Sequence, residues 1–93
     1  MNSEEEEEED LFLDYILSND DTTVNTGIIS TYAFLVENLP REQTHVGLDR
    51  YITLVAQDME LSVRMTLRFR ERAWALVNGQ PERGYIFCFY RII

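Results

Sequence analysis

Lysine is absent from the 93 residues, and all eight basic side chains are arginine: Arg41, Arg50, Arg64, Arg68, Arg70, Arg72, Arg83 and Arg91. The plain account is a coding bias. The sharper one is avoidance of acetylation and ubiquitination, which would suit a protein working beside a ubiquitin ligase. Cysteine occurs once, at Cys88, so no intrachain disulfide can form; in its apolar surroundings the thiol is expected to be buried. The single histidine, His45, lies in what reads as a polar connection, residues 40–47. With no ligand cluster or acid–base partner nearby in sequence, it assembles neither a metal site nor a nucleophile–base pair. No apolar run approaches the roughly 20 residues that cross a bilayer. There is no Asn-x-Ser/Thr sequon, and the start is acidic where a signal peptide is basic. These absences lead us to expect a soluble intracellular protein with no cofactor, no metal and no catalytic role.

What is present is acid, unevenly placed. The net charge is −9. Residues 1–21 hold ten acids and no base, residues 22–60 are mildly acidic, and residues 61–93 carry six arginines against two glutamates. A negative head thus precedes a positive C-terminal third, and the two ends can attract one another. Hydrophobic residues make up 45% and charged residues 27% of the chain, which argues against wholesale disorder. The length fits one domain with a modest core, for which burial in a second copy would add much, so a homodimer is expected.

The strongest pattern is Leu61 to Arg70, where apolar and polar residues alternate without a miss. As a strand it would send Leu61, Val63, Met65, Leu67 and Phe69 to the core and Arg64, Arg68 and Arg70 to solvent. A helical reading competes, because Arg64, Arg68 and Arg72 are four apart, as are Leu61, Met65, Phe69 and Ala73, and Asn78-Gly79 would cap such a helix. The unbroken alternation favours strand. Residues 48–57 are ambiguous and read as strand on the β-formers Tyr51 to Val55, with a turn at Asp58 to Glu60. After the turn-rich segment 78–84, the aromatic and β-branched run Tyr85 to Ile93 reads as a central strand.

Ahead of these, Glu4 to Glu9 is a like-charge run expected to be disordered, leaving residues 10–93 as the folded domain. A short helix over Asp10 to Leu17 would place Leu11, Phe12, Tyr15 and Ile16 on one side. A second helix, Gly27 to Leu39, has a broad apolar stripe, Asn25 or Thr26 as cap, and Pro40 as stop. The expected fold is therefore α+β: two short N-terminal helices packed on an antiparallel meander from the C-terminal half. The alternative is a mostly α chain with a long helix over about residues 48–77 and a C-terminal strand.

An acidic run followed by bulky apolar residues at helical spacing is similar to the amphipathic acidic segments that fold into a groove on a partner, as transcriptional activation segments do. The functional expectation is a non-enzymatic protein-interaction or regulatory module that binds and modulates or inhibits another protein, in the manner of a virus- or phage-encoded inhibitor. Its contact residues would be Phe12, Tyr15 and Ile16 together with the arginine face Arg64, Arg68, Arg70 and Arg72. The alternatives are an acidic mimic of nucleic acid lodged in a basic channel and, more weakly, nucleic-acid binding through the arginines, against which the net charge argues.

Overall fold

The computed structural model describes residues 3–18 and 21–79. They form four helices, α1 (Ser3–Ser18), α2 (Thr23–Asn38), α3 (Arg41–Asp58) and α4 (Val63–Asn78), with no strand among the described residues. The expected α+β meander is therefore replaced by a helical bundle. The proposed strand Tyr85 to Ile93, like Cys88, lies outside the described residues.

Local chemistry accounts for each boundary. Thr22 caps α2, its hydroxyl oxygen accepting from the Asn25 backbone N–H at 3.1 Å. Helix α2 thus starts four residues earlier than Gly27. The backbone N–H of Leu39 closes the other end on the Leu35 carbonyl, and Pro40, expected to stop one helix, also starts the next as N-cap of α3. Residues 40–47 are consequently the first turns of α3, not a loop, and residues 48–57 continue them. Packing along this helix overrides the strand preference of Tyr51 to Val55. Ser62 caps α4 by accepting from the Met65 N–H at 3.2 Å, and Gly79 ends it in the left-handed region at φ 75°. A side chain there would meet no neighbour, but the backbone conformation itself favours glycine.

The alternating segment fails as a strand because its apolar residues do not share a burial. Phe69 is fully buried and Met65 half-buried, whereas Val63 and Leu67 are exposed on the far side of α4. The buried residues of α4 are Phe69, Ala73, Trp74 and Ala75, a set with helical rather than two-residue spacing.

The core joins all four helices: Leu13, Ile16 and Leu17 from α1, Ile28 from α2, Leu48, Ile52 and Ala56 from α3, and Phe69, Ala73 and Trp74 from α4. Helices α2 and α3 form an antiparallel hairpin. The Thr44 hydroxyl at the start of α3 donates to the Leu35 and Leu39 carbonyls at 3.0 and 3.3 Å, and further along, a Cβ on Gly47 would stand 3.3 Å from Leu35. Helices α3 and α4 are antiparallel as well, since Asp49 meets Arg70 and His45 meets Trp74. Helix α1 is different, for it runs in the same direction as α4, with Glu9 beside Arg64 and Asp14 beside Arg72. The bundle is therefore not an up-down-up-down arrangement, in which the first and last helices oppose one another. At the α1–α2 corner the Thr22 hydroxyl donates to the Ile16 carbonyl at 2.6 Å, and buried Asn25 donates through Nδ2 to the Leu17 carbonyl. Both bonds satisfy carbonyls that the end of α1 would otherwise leave open.

Candidate functional site: an acidic helix on an arginine row

Helix α1 contains eight acids and no base. It begins at Ser3, so the glutamate run, for which disorder was expected, lies in the helix, where its acids face the positive end of the helix dipole. Across from it, Arg64, Arg68 and Arg72 stand one turn apart on α4 and interlock with three of those acids. Arg64 Nη2 donates to Glu9 Oε1, and Arg68 reaches Glu9 through Nη1 at 3.5 Å and Asp10 through Nη2. Arg72 in turn reaches Asp10 at 3.1 Å and Asp14 through Nη1. The result is one continuous chain, Arg64–Glu9–Arg68–Asp10–Arg72–Asp14, that rises together along both helices and sets their parallel register. Arg70, on another side of α4, holds Asp49 of α3 through Nη2 at 2.7 Å and Nε at 3.2 Å.

The arginine row is thus turned inward onto α1. Every arginine expected to contact a partner, Arg64, Arg68, Arg70 and Arg72, is engaged with a carboxylate of this chain. Beyond the ladder, Glu4 to Glu8 occupy the N-terminal turns of α1, all exposed. The three apolar residues expected to act together are separated. Ile16 is buried in the core, Tyr15 is 64% exposed, and Phe12 is half-exposed above Leu61 and Met65. Helix α1 is rotated from the expected setting, burying Leu13, Ile16 and Leu17 and leaving Leu11 outside. The burial of Leu13 and Leu17 was missed because neither continues the Phe12, Tyr15, Ile16 series, although 13, 16 and 17 have helical spacing of their own.

His45 is not a solvated loop residue. It lies half-buried on α3 with its ring 4.5 Å from that of Trp74, and its Nδ1 is buried without a hydrogen-bond partner among the described residues. Burial lowers its pKa below 6.5, and the negative charge of Asp49 offsets this only in part. The unfolded chain therefore takes up this proton more readily than the folded one. Its contribution to stability is complete above about pH 6.5 and is lost as pH falls from there through the lowered folded value. Urea unfolding between pH 7.5 and about 5.5 should show this loss in the native chain, and His45→Gln should flatten it. An equal slope in His45→Gln would assign the loss to other groups.

A groove of about 570 Å³ opens between α1 and α4, lined by Leu17, Arg68, Arg72, Ala75 and Leu76 among others. Asp14, Ser18 and Glu71 also line it, and no thiol or imidazole is among its described lining residues. Among the described residues no group of His, Cys, Asp or Glu is placed to hold a metal ion. Nor is any described helix long and apolar enough to cross a membrane. No family model, curated protein or solved structure matches the chain.

Proposed function

We propose that the chain is a non-enzymatic binding protein whose acidic helix α1 occupies a basic surface on another protein, of the kind that otherwise receives nucleic acid. The observation that carries this reading is the division of charge along α1. Glu9, Asp10 and Asp14 bond the arginines of α4, while Glu4, Glu6, Glu7 and Glu8 stand exposed on the same helix ahead of them. A folded scaffold thereby presents carboxylates fixed around the first turns of a helix, at about 100° and 1.5 Å rise per residue, and such a cluster attracts guanidinium and ammonium groups at long range. The same division weighs against nucleic-acid binding by this chain, because its arginine row is already matched to carboxylates.

The test is capture at low salt. The immobilised full chain should retain, from a lysate of its source cell at about 50 mM salt, proteins that a double-stranded oligonucleotide elutes by competing for the same surface. A version with Glu4 to Glu8 replaced by glutamine should not retain them. Retained proteins indifferent to oligonucleotide, to salt and to these substitutions would overturn the reading.

A further inference from the structure

Helix α1 has two apolar faces. One, Leu13, Ile16 and Leu17, is in the core. The other is turned to solvent: Leu11 is 68% exposed and Tyr15 64%, with Phe12 half-exposed at its edge. At 3.6 residues per turn, the midpoint of Leu11 and Tyr15 lies about 170° around the helix from the midpoint of the core set. This is as far from the bundle as a side chain of α1 can point.

The same arithmetic places Glu4, Glu8, Leu11 and Tyr15 on a single line along that outer face, at steps of four, three and four residues. The line is acidic in its first two turns and apolar in its next two. Single exposed apolar residues are ordinary on protein surfaces. Here three large ones, two of them aromatic, fall within five residues and are continuous with a run of one charge. The exposed Phe34, Leu54, Val63 and Leu67 have no such run beside them.

We propose that this stripe is the docking edge, and that the partner offers it an apolar groove, one to two helical turns long, which is basic at the end receiving the helix N-terminus. Leu11 and Tyr15, with Phe12 beside them, enter the groove as a helix lays its spaced anchors into one, while Glu4 and Glu8 meet the basic end. The division of labour follows from the physics. The glutamates govern the rate of encounter and its salt dependence, and the apolar anchors govern residence time. An anionic lipid surface does not fit, because the glutamates would be repelled at the headgroups. The inference rests on the preceding reading that the partner surface is basic.

The experiment measures association and dissociation of the full chain on the oligonucleotide-releasable partner captured as above. Capture by itself does not count as support. Leu11→Ala combined with Tyr15→Ala should speed dissociation by about tenfold or more while leaving the salt slope of association unchanged. Glu4→Gln combined with Glu8→Gln should flatten that slope and alter dissociation little. Both versions should melt at the temperature of the unaltered chain, since all four side chains are exposed. If the alanine pair dissociates like the unaltered chain while glutamine substitution still weakens binding, the docking stripe fails and the acidic-helix function stands. If no oligonucleotide-releasable partner is captured, both fail. A photoreactive phenylalanine analogue at position 15 supplies the remaining arm. It should cross-link to the partner, and cross-linking only to a second copy of this chain would overturn the proposal in favour of self-association.

Discussion

Phe69→Ala should lower the unfolding free energy by about 3–5 kcal/mol, whereas Leu67→Ala, two residues away in the same alternating stretch, should change it by no more than about 0.5 kcal/mol. Phe69 is fully buried in the core to which all four helices contribute, and Leu67 is 55% exposed. Removing the ring leaves a cavity that the packed core around Ile52 and Ala73 fills only in part. As alternate residues of one strand face, the two would be equivalent and both substitutions costly. As residues two apart on a helix they lie about 160° from each other, and only one meets the core. Urea titration reads the contrast directly, through shifts in midpoint at constant slope.

The second large effect is expected from charge reversal of the row on α4. Arg64→Glu, Arg68→Glu and Arg72→Glu together should destabilise the chain by about 3 kcal/mol at low salt. Each ladder pair is partly exposed and is worth up to about 1 kcal/mol alone, and reversal adds repulsion of similar size from the eight acids of α1. The penalty should shrink in 1 M salt, where the screening length falls to about 3 Å. Adding Glu9→Arg, Asp10→Arg and Asp14→Arg should recover most of the loss, because it rebuilds the ladder with its signs exchanged and restores the net charge of −9. Reversal without effect on stability would mean that α1 is held by Leu13, Ile16 and Leu17 alone.

Much of this fold is written in the sequence as charge rather than as hydropathy. The apolar residues from Leu61 to Phe69 satisfy the two-residue period by including Val63 and Leu67, which α4 leaves outside, so the cleanest pattern in the chain was the misleading one. The informative spacing was the four-residue repeat of Arg64, Arg68 and Arg72, together with the same step between Asp10 and Asp14. Two such rows of opposite sign are what two helices need to lie side by side. Helix α2 was legible from the helical spacing of its apolar residues and from Pro40, although of that stripe only Ile28 is fully buried while Ile29, Val36 and Leu39 are exposed; the turn after Asp58 was legible too, with Glu60 taking the left-handed conformation at φ 58°. Helix α3 was not, because Tyr51, Ile52, Thr53 and Val55 favour strands locally. Only contacts distant in sequence, such as Asp49 with Arg70 and His45 with Trp74, reveal what surrounds them. The acidic head was misjudged for a related reason. Six adjacent carboxylates repel in isolation, and the arginines that offset the end of the run lie more than fifty residues away.

For the candidate site, the sequence supplied the residue types and, in the opposite charges of its two ends, the attraction that joins them. The acidic head and the arginine face, expected to be two contact elements offered to a partner, are bound to one another. What remains exposed is Glu4 to Glu8 followed by Leu11, Phe12 and Tyr15. That pairing depends on residues 63–78 being a helix, since a strand would send Arg64, Arg68 and Arg70 to one face and break the four-residue match to α1. The direct measurement is the backbone carbon chemical shifts of the full chain in solution. An unbroken helical series from Val63 to Asn78 is the result expected here. Extended-strand shifts across Leu61 to Arg70 would contradict the fold and, with it, the arginine–carboxylate ladder.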